Sequence, residues 1–297
     1  MISLKDDYEA NGYVFGIRGI ESEYADCLLA QFQDFCRISS TKGLIPEECI
    51  YKPHLVLRDF YSLTFNTKIT EVIEEILGED AVCWTSLIFK KNRGAHIGFH
   101  QDLKYWGFSN SECLTVSLAL TESNENNGCL MVVPQSHQKS FEHQTGVDTK
   151  NNMLVYSQNI EVQKLQKKAL VLDKGEFSVH HGDLVHGSFA NNTDTPRVLL
   201  SIRFCKASNP SRIYRSAIWN SSKVYNHFEK EPKVEVDYDF EALAYREKIL
   251  RNLTILHAQK KIGTWKLGVM KHIIGMLTVR RFYYFFMRFF YAKKTVS

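Results

Sequence analysis

The sequence predicts a mainly β domain, a sandwich or barrel, with α-helices flanking it. Eight short runs rich in β-branched and aromatic residues follow one another between positions 81 and 205, each closed by turn-forming residues. Short strands with turn signals between them suit a sandwich or barrel, with helices before and after the core. At 297 residues with a hydrophobic fraction of 44%, the chain is large and apolar enough for one sizeable core.

Taken in order, residues 21–35 place Leu28, Leu29, Phe32 and Phe35 at helical spacing, and a second helix over 68–77 stops at Gly78. Strands are expected at 81–90, 97–103, 114–121, 129–133, 169–172, 177–181, 184–190 and 197–205. The interval 135–168 is long for a compact domain, as lids and binding segments are. These elements divide the chain into a domain over 1–246, with a helical first part (1–78) and a β core (about 79–206), and a tail over 247–297. Seven scattered cysteines without a Cys-x-x-Cys argue for a reducing compartment and against a disulfide or zinc framework. Lys5, Asp6, Asp7 and Glu9 interrupt any leader-like apolar run, and the closing Thr-Val-Ser is no peroxisomal address, so a cytoplasmic protein is expected.

Two motifs carry the chemistry. His100-Gln101-Asp102 lies in GFHQDLKYWGF, and His186, followed eleven residues later by Arg197, lies in HHGDLVHGSFANNTDTPR. In a strand, residues two apart share a face, so His100 and Asp102 can both reach one metal while Gln101 points away unless the strand bends. Two imidazoles and one carboxylate form the facial triad of non-haem Fe(II) oxygenases, which leaves coordination positions for a 2-oxo acid and dioxygen. His186 and Ser188 share a face of the next strand. After the Asn191-Asn192-Thr193-Asp194 turn, Arg197 opens another, placed to hold the far carboxylate of the 2-oxo acid. His-x-Asp alone is a weak signal; with the distal His and Arg at matching strand positions it becomes a strong one. The residues therefore read as an Fe(II)/2-oxoglutarate dioxygenase.

The stretch from about 50 to 204 resembles the phytanoyl-CoA dioxygenase family, through HQDLKYW (100–106), NNGCLMVVPQSH (126–137) and VHGSFANNTDTPR (185–197), with DYEANGYVF (7–15) ahead of them. The resemblance implies a double-stranded β-helix (a jelly roll, cupin-like), iron on His100, Asp102 and His186, and 2-oxoglutarate on Arg197 with Ser188 and Gln101. It places Trp106 as an aromatic at the mouth of the site; Lys104 and Tyr105 are substrate contacts or solvated strand-end residues. Gln135 replaces the usual glycine of a Pro-Gly-Ser-His turn, and Ser117 stands where many relatives carry Trp, altering one wall of the cosubstrate pocket. Halogenating relatives lack the metal-bound acid; Asp102 is present, so hydroxylation is favoured over chlorination.

Other histidines have plainer readings. His54, His143, His227 and His257 suit surface or packing roles, His137 ties down the turn after Pro134, and one of His180 and His181 lines the pocket or both pack within a strand.

From Lys248 to Ser297 there are eleven Lys or Arg and no acid, so against a whole-chain net of +4 the first 247 residues carry −7. The aromatic run after Arg280 is too short and too charged to span a bilayer. It suits an anchor at an anionic membrane surface, a dock for an acidic carrier protein, or a helix packed on the barrel. No nucleic-acid motif accompanies it.

The sequence thus predicts hydroxylation of an unactivated C–H bond in a small or carrier-linked substrate, with succinate and CO2 as co-products. Desaturation or ring chemistry, and a non-catalytic metal- or ligand-binding β-helix, are the alternatives.

Overall fold

Alternation of side chains along the strands separates an apolar outer face from a polar inner one, and this places the site. The computed structural model describes residues 3–41, 51–146, 151–154, 158–219 and 223–261. Its strands are β1 (Tyr13–Arg18), β2 (Ala81–Lys91), β3 (Ile97–His100), β4 (Cys113–Ala119), β5 (Leu130–Val132), β6 (Lys168–Leu170), β7 (Glu176–His181), β8 (His186–Ser188), β9 (Arg197–Lys206), β10 (Ser216–Ala217) and β11 (Glu229–Lys230). The helices are α1 (Leu4–Asn11), α2 (Ser22–Thr41), α3 (Arg58–Leu63), α4 (Thr67–Leu77), α5 (Leu103–Trp106) and α6 (Phe240–Lys261).

A five-stranded antiparallel sheet, in the order β1-β7-β4-β9-β2, opposes a four-stranded antiparallel sheet, in the order β3-β8-β5-β6. This is the jelly-roll arrangement of a double-stranded β-helix. On the larger sheet's outer face, Phe177, Val179, Leu114, Val116, Leu118, Leu200, Ile202 and Ile88 are buried in one cluster with Leu28, Phe32 and Phe35 of α2 and Ile69, Val72, Ile73 and Leu77 of α4. Each such side chain contributes about 1.5–3 kcal/mol on burial. Asn66 caps α4 by accepting from Ile69 N at 3.2 Å, and the helix ends at Gly78, whose φ of 86° suits glycine.

The inner face is polar. Cross-strand register sets His180, Thr115, Arg203 and Thr85 in one row, and Ser178, Ser117, Ser201 and Leu87 in the next. All eight expected strands are present with ends shifted by a few residues, and both expected helices form. The largest difference is at 97–103. The strand stops at His100, and Asp102 is already right-handed helical (φ −65°, ψ −43°) at the start of α5. Lys104 and Tyr105 are therefore helical rather than strand-end residues. Residues 1–78 also contribute β1 to the larger sheet, paired with β7, which the helical reading of that part did not contain. Past 206 the chain folds back through β10 and β11 into α6, which crosses position 247. The aromatic run from 280 lies outside the described residues.

Candidate metal centre and cosubstrate pocket

His100 closes β3 and pairs in register with His186, the first residue of β8. Their rings lie 4.3 Å apart between centroids. His100 Nδ1–H donates to Gly98 O at 2.9 Å, and His186 Nδ1–H donates to Leu184 O at 2.8 Å. A carbonyl only accepts, so each Nδ1 carries the proton and each Nε2 lone pair points to the metal position. The helical turn after His100 brings Asp102 round, with Oδ1 3.3 Å from His100 Nε2 and Oδ2 3.7 Å from His186 Nε2. One ligand atom from each residue lies within 4.8 Å of the others, and all three residues are buried. Neutral imidazoles and a carboxylate in that arrangement fit a divalent first-row metal. Strand alternation is thus not what makes His-x-Asp converge; the strand end and the first turn of α5 do.

Electrostatics favours the same set. Burial opposes ionisation of Asp102, but Arg203, the His100 bond and His186 outweigh it and hold the carboxyl well below the usual range. Burial, then the neighbouring His100, pushes His186 down to about 4, so it is neutral and able to ligate at ordinary pH. Arg203 Nη2 sits 3.5 Å from Asp102 Oδ2, and its guanidinium lies 4.5 Å from the Trp106 ring centroid and 5.8 Å from that of Trp84.

Farther along the lumen Arg197 is 2% exposed; its Nη1 donates to Gly128 O at 2.5 Å and its Nε has no partner. Opposite it in register is Lys91, fully buried, whose Nζ donates to Gly128 O at 2.9 Å, to Phe189 O at 2.8 Å and to Ser188 Oγ. Burial, then the adjacent Arg197, pushes Lys91 down to about 6, while burial brings Arg197 to about 10. Among the described residues neither side chain is bonded to a carboxylate, so Arg197 brings an uncompensated charge, and an anion entering here would favour the protonated form of Lys91. Ser188, expected as a cosubstrate residue, is bound to Lys91 at this end of the pocket.

The other expected residues take different places. Gln101 has both amide hydrogens engaged, with Lys139 O at 2.7 Å and Asp183 O at 2.6 Å, and its Oε1 accepts from Phe141 N at 3.0 Å. It fastens the segment after β5 to the site's edge. Trp106 is buried at 3% exposure beneath Arg203 rather than standing at a rim. Tyr105 Oη is 2.7 Å from His143 Nδ1, while Lys104 is exposed. Ser117 is buried and lies in register between Ser178 and Ser201 on the inner face. Gln135 adopts φ 65°, in the left-handed region that favours glycine, and Ser136 Oγ beside it accepts from Val185 N at 2.8 Å. His137 does tie down that turn, 3.1 Å from Glu9 O, and His180 is the member of its pair that lines the lumen, 4.5 Å from the His186 ring.

Lys91 and Arg203 were not singled out as site residues from sequence, and His180 was offered only as one of a pair. Signals existed: Arg203 lies six residues after Arg197 in one strand and so shares its face, and Lys91 has the parity of Leu87.

With this geometry in hand, the chain belongs to the phytanoyl-CoA dioxygenase (PhyH) family, whose model matches residues 10–199. It is 29% identical over 163 residues to the probable alpha-ketoglutarate-dependent hypophosphite dioxygenase of Stutzerimonas stutzeri, a match covering 53% of this chain and 57% of that protein. It is 28% identical over 185 residues to the ectoine dioxygenase of Streptomyces avermitilis, covering 54% and 60%. The chain thus spans somewhat over half the length of these two relatives. Among solved structures, the non-heme monooxygenase ThoJ aligns with a TM-score of 0.75 at 24% identity, covering 85% of this chain and 96% of that one. EctD from S. alaskensis with 2-oxoglutarate and 5-hydroxyectoine aligns at 0.56 and 18% identity, covering 77% and 86%. Both share the fold.

Proposed function

We propose that this protein is an Fe(II)- and 2-oxoglutarate-dependent dioxygenase that hydroxylates an unactivated C–H bond of a small or carrier-linked substrate, with succinate and CO2 as co-products. The observation that carries this reading is the pairing of two sites in one lumen. A buried His100–Asp102–His186 set has both Nε2 lone pairs freed, and an uncompensated Arg197–Lys91 pair lies farther in. When bound there, iron supplies the activation of dioxygen that no side chain can provide.

The chain's residues do the rest. Gly98 and Leu184 carbonyls fix the imidazole tautomers. Arg203 holds Asp102 ionised and oriented. Arg197 and Lys91 take the distal carboxylate of 2-oxoglutarate, with Ser188 locating the Lys91 ammonium. Gln101 fixes the covering segment that excludes water from the site. On the helix that follows Asp102 we assign Trp106, Tyr105 and Lys104 to the substrate side.

Mixing the protein anaerobically with Fe(II) and 2-oxoglutarate should give a weak visible absorption band. A metabolite screen read by succinate release should then find the substrate. A protein that binds metal but shows neither band nor release is a binding module instead. No helix among the described residues is long and apolar enough to cross a membrane. For the basic, aromatic 247–297 segment we propose peripheral association with an anionic surface, either lipid or an acidic carrier, which fits its eleven cations.

A further inference from the structure

The lumen holds more positive charge than the proposed chemistry uses. Asp102 is the one lumen carboxylate among the described residues; the other buried acids are engaged elsewhere, Glu231 by Lys52, His54 and Ser216, and Glu247 near Arg251. A divalent metal and the 2-oxoglutarate dianion cancel each other. Asp102 offsets one arginine, and one positive charge remains, two when Lys91 is protonated. Among buried side chains such an excess is costly.

Arg203 is where the excess can be met. Arg197 is 2% exposed and Lys91 fully buried, whereas the Arg203 side chain keeps 12% of its surface open. Its contact with Asp102 is long, 3.5 Å, and weakens once that carboxylate shares its charge with a metal. Its Nε is buried without a partner, as are Thr115 Oγ1 and both ring nitrogens of His180, which lie beside it in the same cross-strand row. Trp106 and Trp84 brace the guanidinium plane, so its direction is fixed.

Resting on the dioxygenase reading, we propose that Arg203 is the anion receptor of the substrate subsite, with His180 and Thr115 as its hydrogen-bonding neighbours. The substrate is then a small organic anion, bearing a carboxylate or comparable oxyanion, and not a neutral or purely apolar molecule.

An isosteric pair of probes tests this. Propionate and propionamide are titrated separately into the anaerobic Fe(II)–2-oxoglutarate complex, with saturating 2-oxoglutarate covering Arg197 and Lys91. Tryptophan fluorescence reports binding, because Trp84 and Trp106 flank Arg203. Propionate should bind at least about 10-fold more tightly than propionamide, as expected for a charge-assisted pair. Arg203→Gln should erase that preference and Arg203→Lys should keep part of it. Should Arg203→Gln not retain the 2-oxoglutarate absorption band, Thr115→Asp decides the matter. It sets a competing carboxylate opposite Arg203 and should also erase the preference. Equal binding of the two probes by the wild type, or a preference that survives both changes, overturns the proposal. If the wild type never forms the 2-oxoglutarate band, the dioxygenase reading itself falls; if the band forms without a charge preference, only the anion receptor does.

Discussion

Arg197→Ala isolates the cosubstrate anchor from the metal ligands. The guanidinium is buried and its one hydrogen-bonded partner among the described residues is a carbonyl, Gly128 O, so among those residues its charge is uncompensated. Its removal should cost the ligand-free fold little electrostatically and fall on 2-oxoglutarate binding. Loss of one charge-assisted pair is worth about 1.5–3 kcal/mol, a weakening of about 10- to 150-fold. Lys91 limits the loss. Arg197 is one of the causes that depress it to about 6, so without Arg197 its ammonium is more fully protonated and takes over part of the carboxylate. The single variant should therefore lie toward the lower end, and the double variant with Lys91→Met beyond the upper end. In thermal denaturation, 2-oxoglutarate at 100 times the wild-type Kd stabilises the wild type by about 2.7 kcal/mol, falling to about 0.3–1.4 kcal/mol in Arg197→Ala. The same constants should come from anaerobic titration of the absorption band. An unchanged Kd in both variants would refute the assignment of this end of the lumen to the cosubstrate.

Four further outcomes are expected. Asp102→Ala removes the sole carboxylate ligand; since changes outside the ligand sphere alone cost about 10–100-fold in metal affinity, Fe(II) binding should weaken by more than about 100-fold in a calorimetric or competition titration. Gly128→Ala should lower both Tm and 2-oxoglutarate affinity, because φ is +73° and a Cβ would lie 2.4 Å from Phe189 O and 2.8 Å from Lys91 Nζ; the left-handed conformation alone costs about 1–2 kcal/mol. Glu231→Gln strands the buried Lys52 ammonium and should destabilise the fold by about 3–5 kcal/mol in urea unfolding. In the wild type, burial raises the Glu231 pKa but Lys52 and His54 outweigh it and hold it at about 2. The unfolded glutamate takes its proton near about 4.3, so the stability from Glu231 is complete above that pH and is lost as pH falls through about 2, which acid titration of the unfolding free energy should show. A chain truncated before Gly263 should lose cosedimentation with anionic vesicles, an interaction that weakens with salt, while still consuming 2-oxoglutarate; no sedimentation by the full chain would remove the membrane reading.

Much of the architecture was legible because it is written in short-range pattern. Strand period and turn residues located the eight core strands, and the Asn66 cap and Gly78 stop bounded α4. His100, Asp102, His186 and Arg197 were legible as chemistry because few other roles require those residue types at those spacings. β1 was missed because its burial does not alternate, with an irregularity between Val14 and Ile17 where Gly16 interrupts the apolar run, and its pairing partner β7 is more than 150 residues away.

What the sequence by itself determined is the family, the jelly-roll core and the candidate metal-ligating residues, since each depends on local periodicity and on residue chemistry. Only the tertiary structure decided how they act together. It ended β3 at His100, so that a helical turn rather than strand alternation delivers Asp102 to the imidazoles. It set Lys91 opposite Arg197 and Arg203 level with His180, because cross-strand register is fixed by pairing between distant segments and has no signature within either one. It also tied the Gln101 amide to the backbone carbonyls of Lys139 and Asp183 and placed Trp106 beneath Arg203. The charge left over in the lumen is the product of that assembly: each cation is ordinary in its own strand, and the excess exists only where the strands enclose a common space.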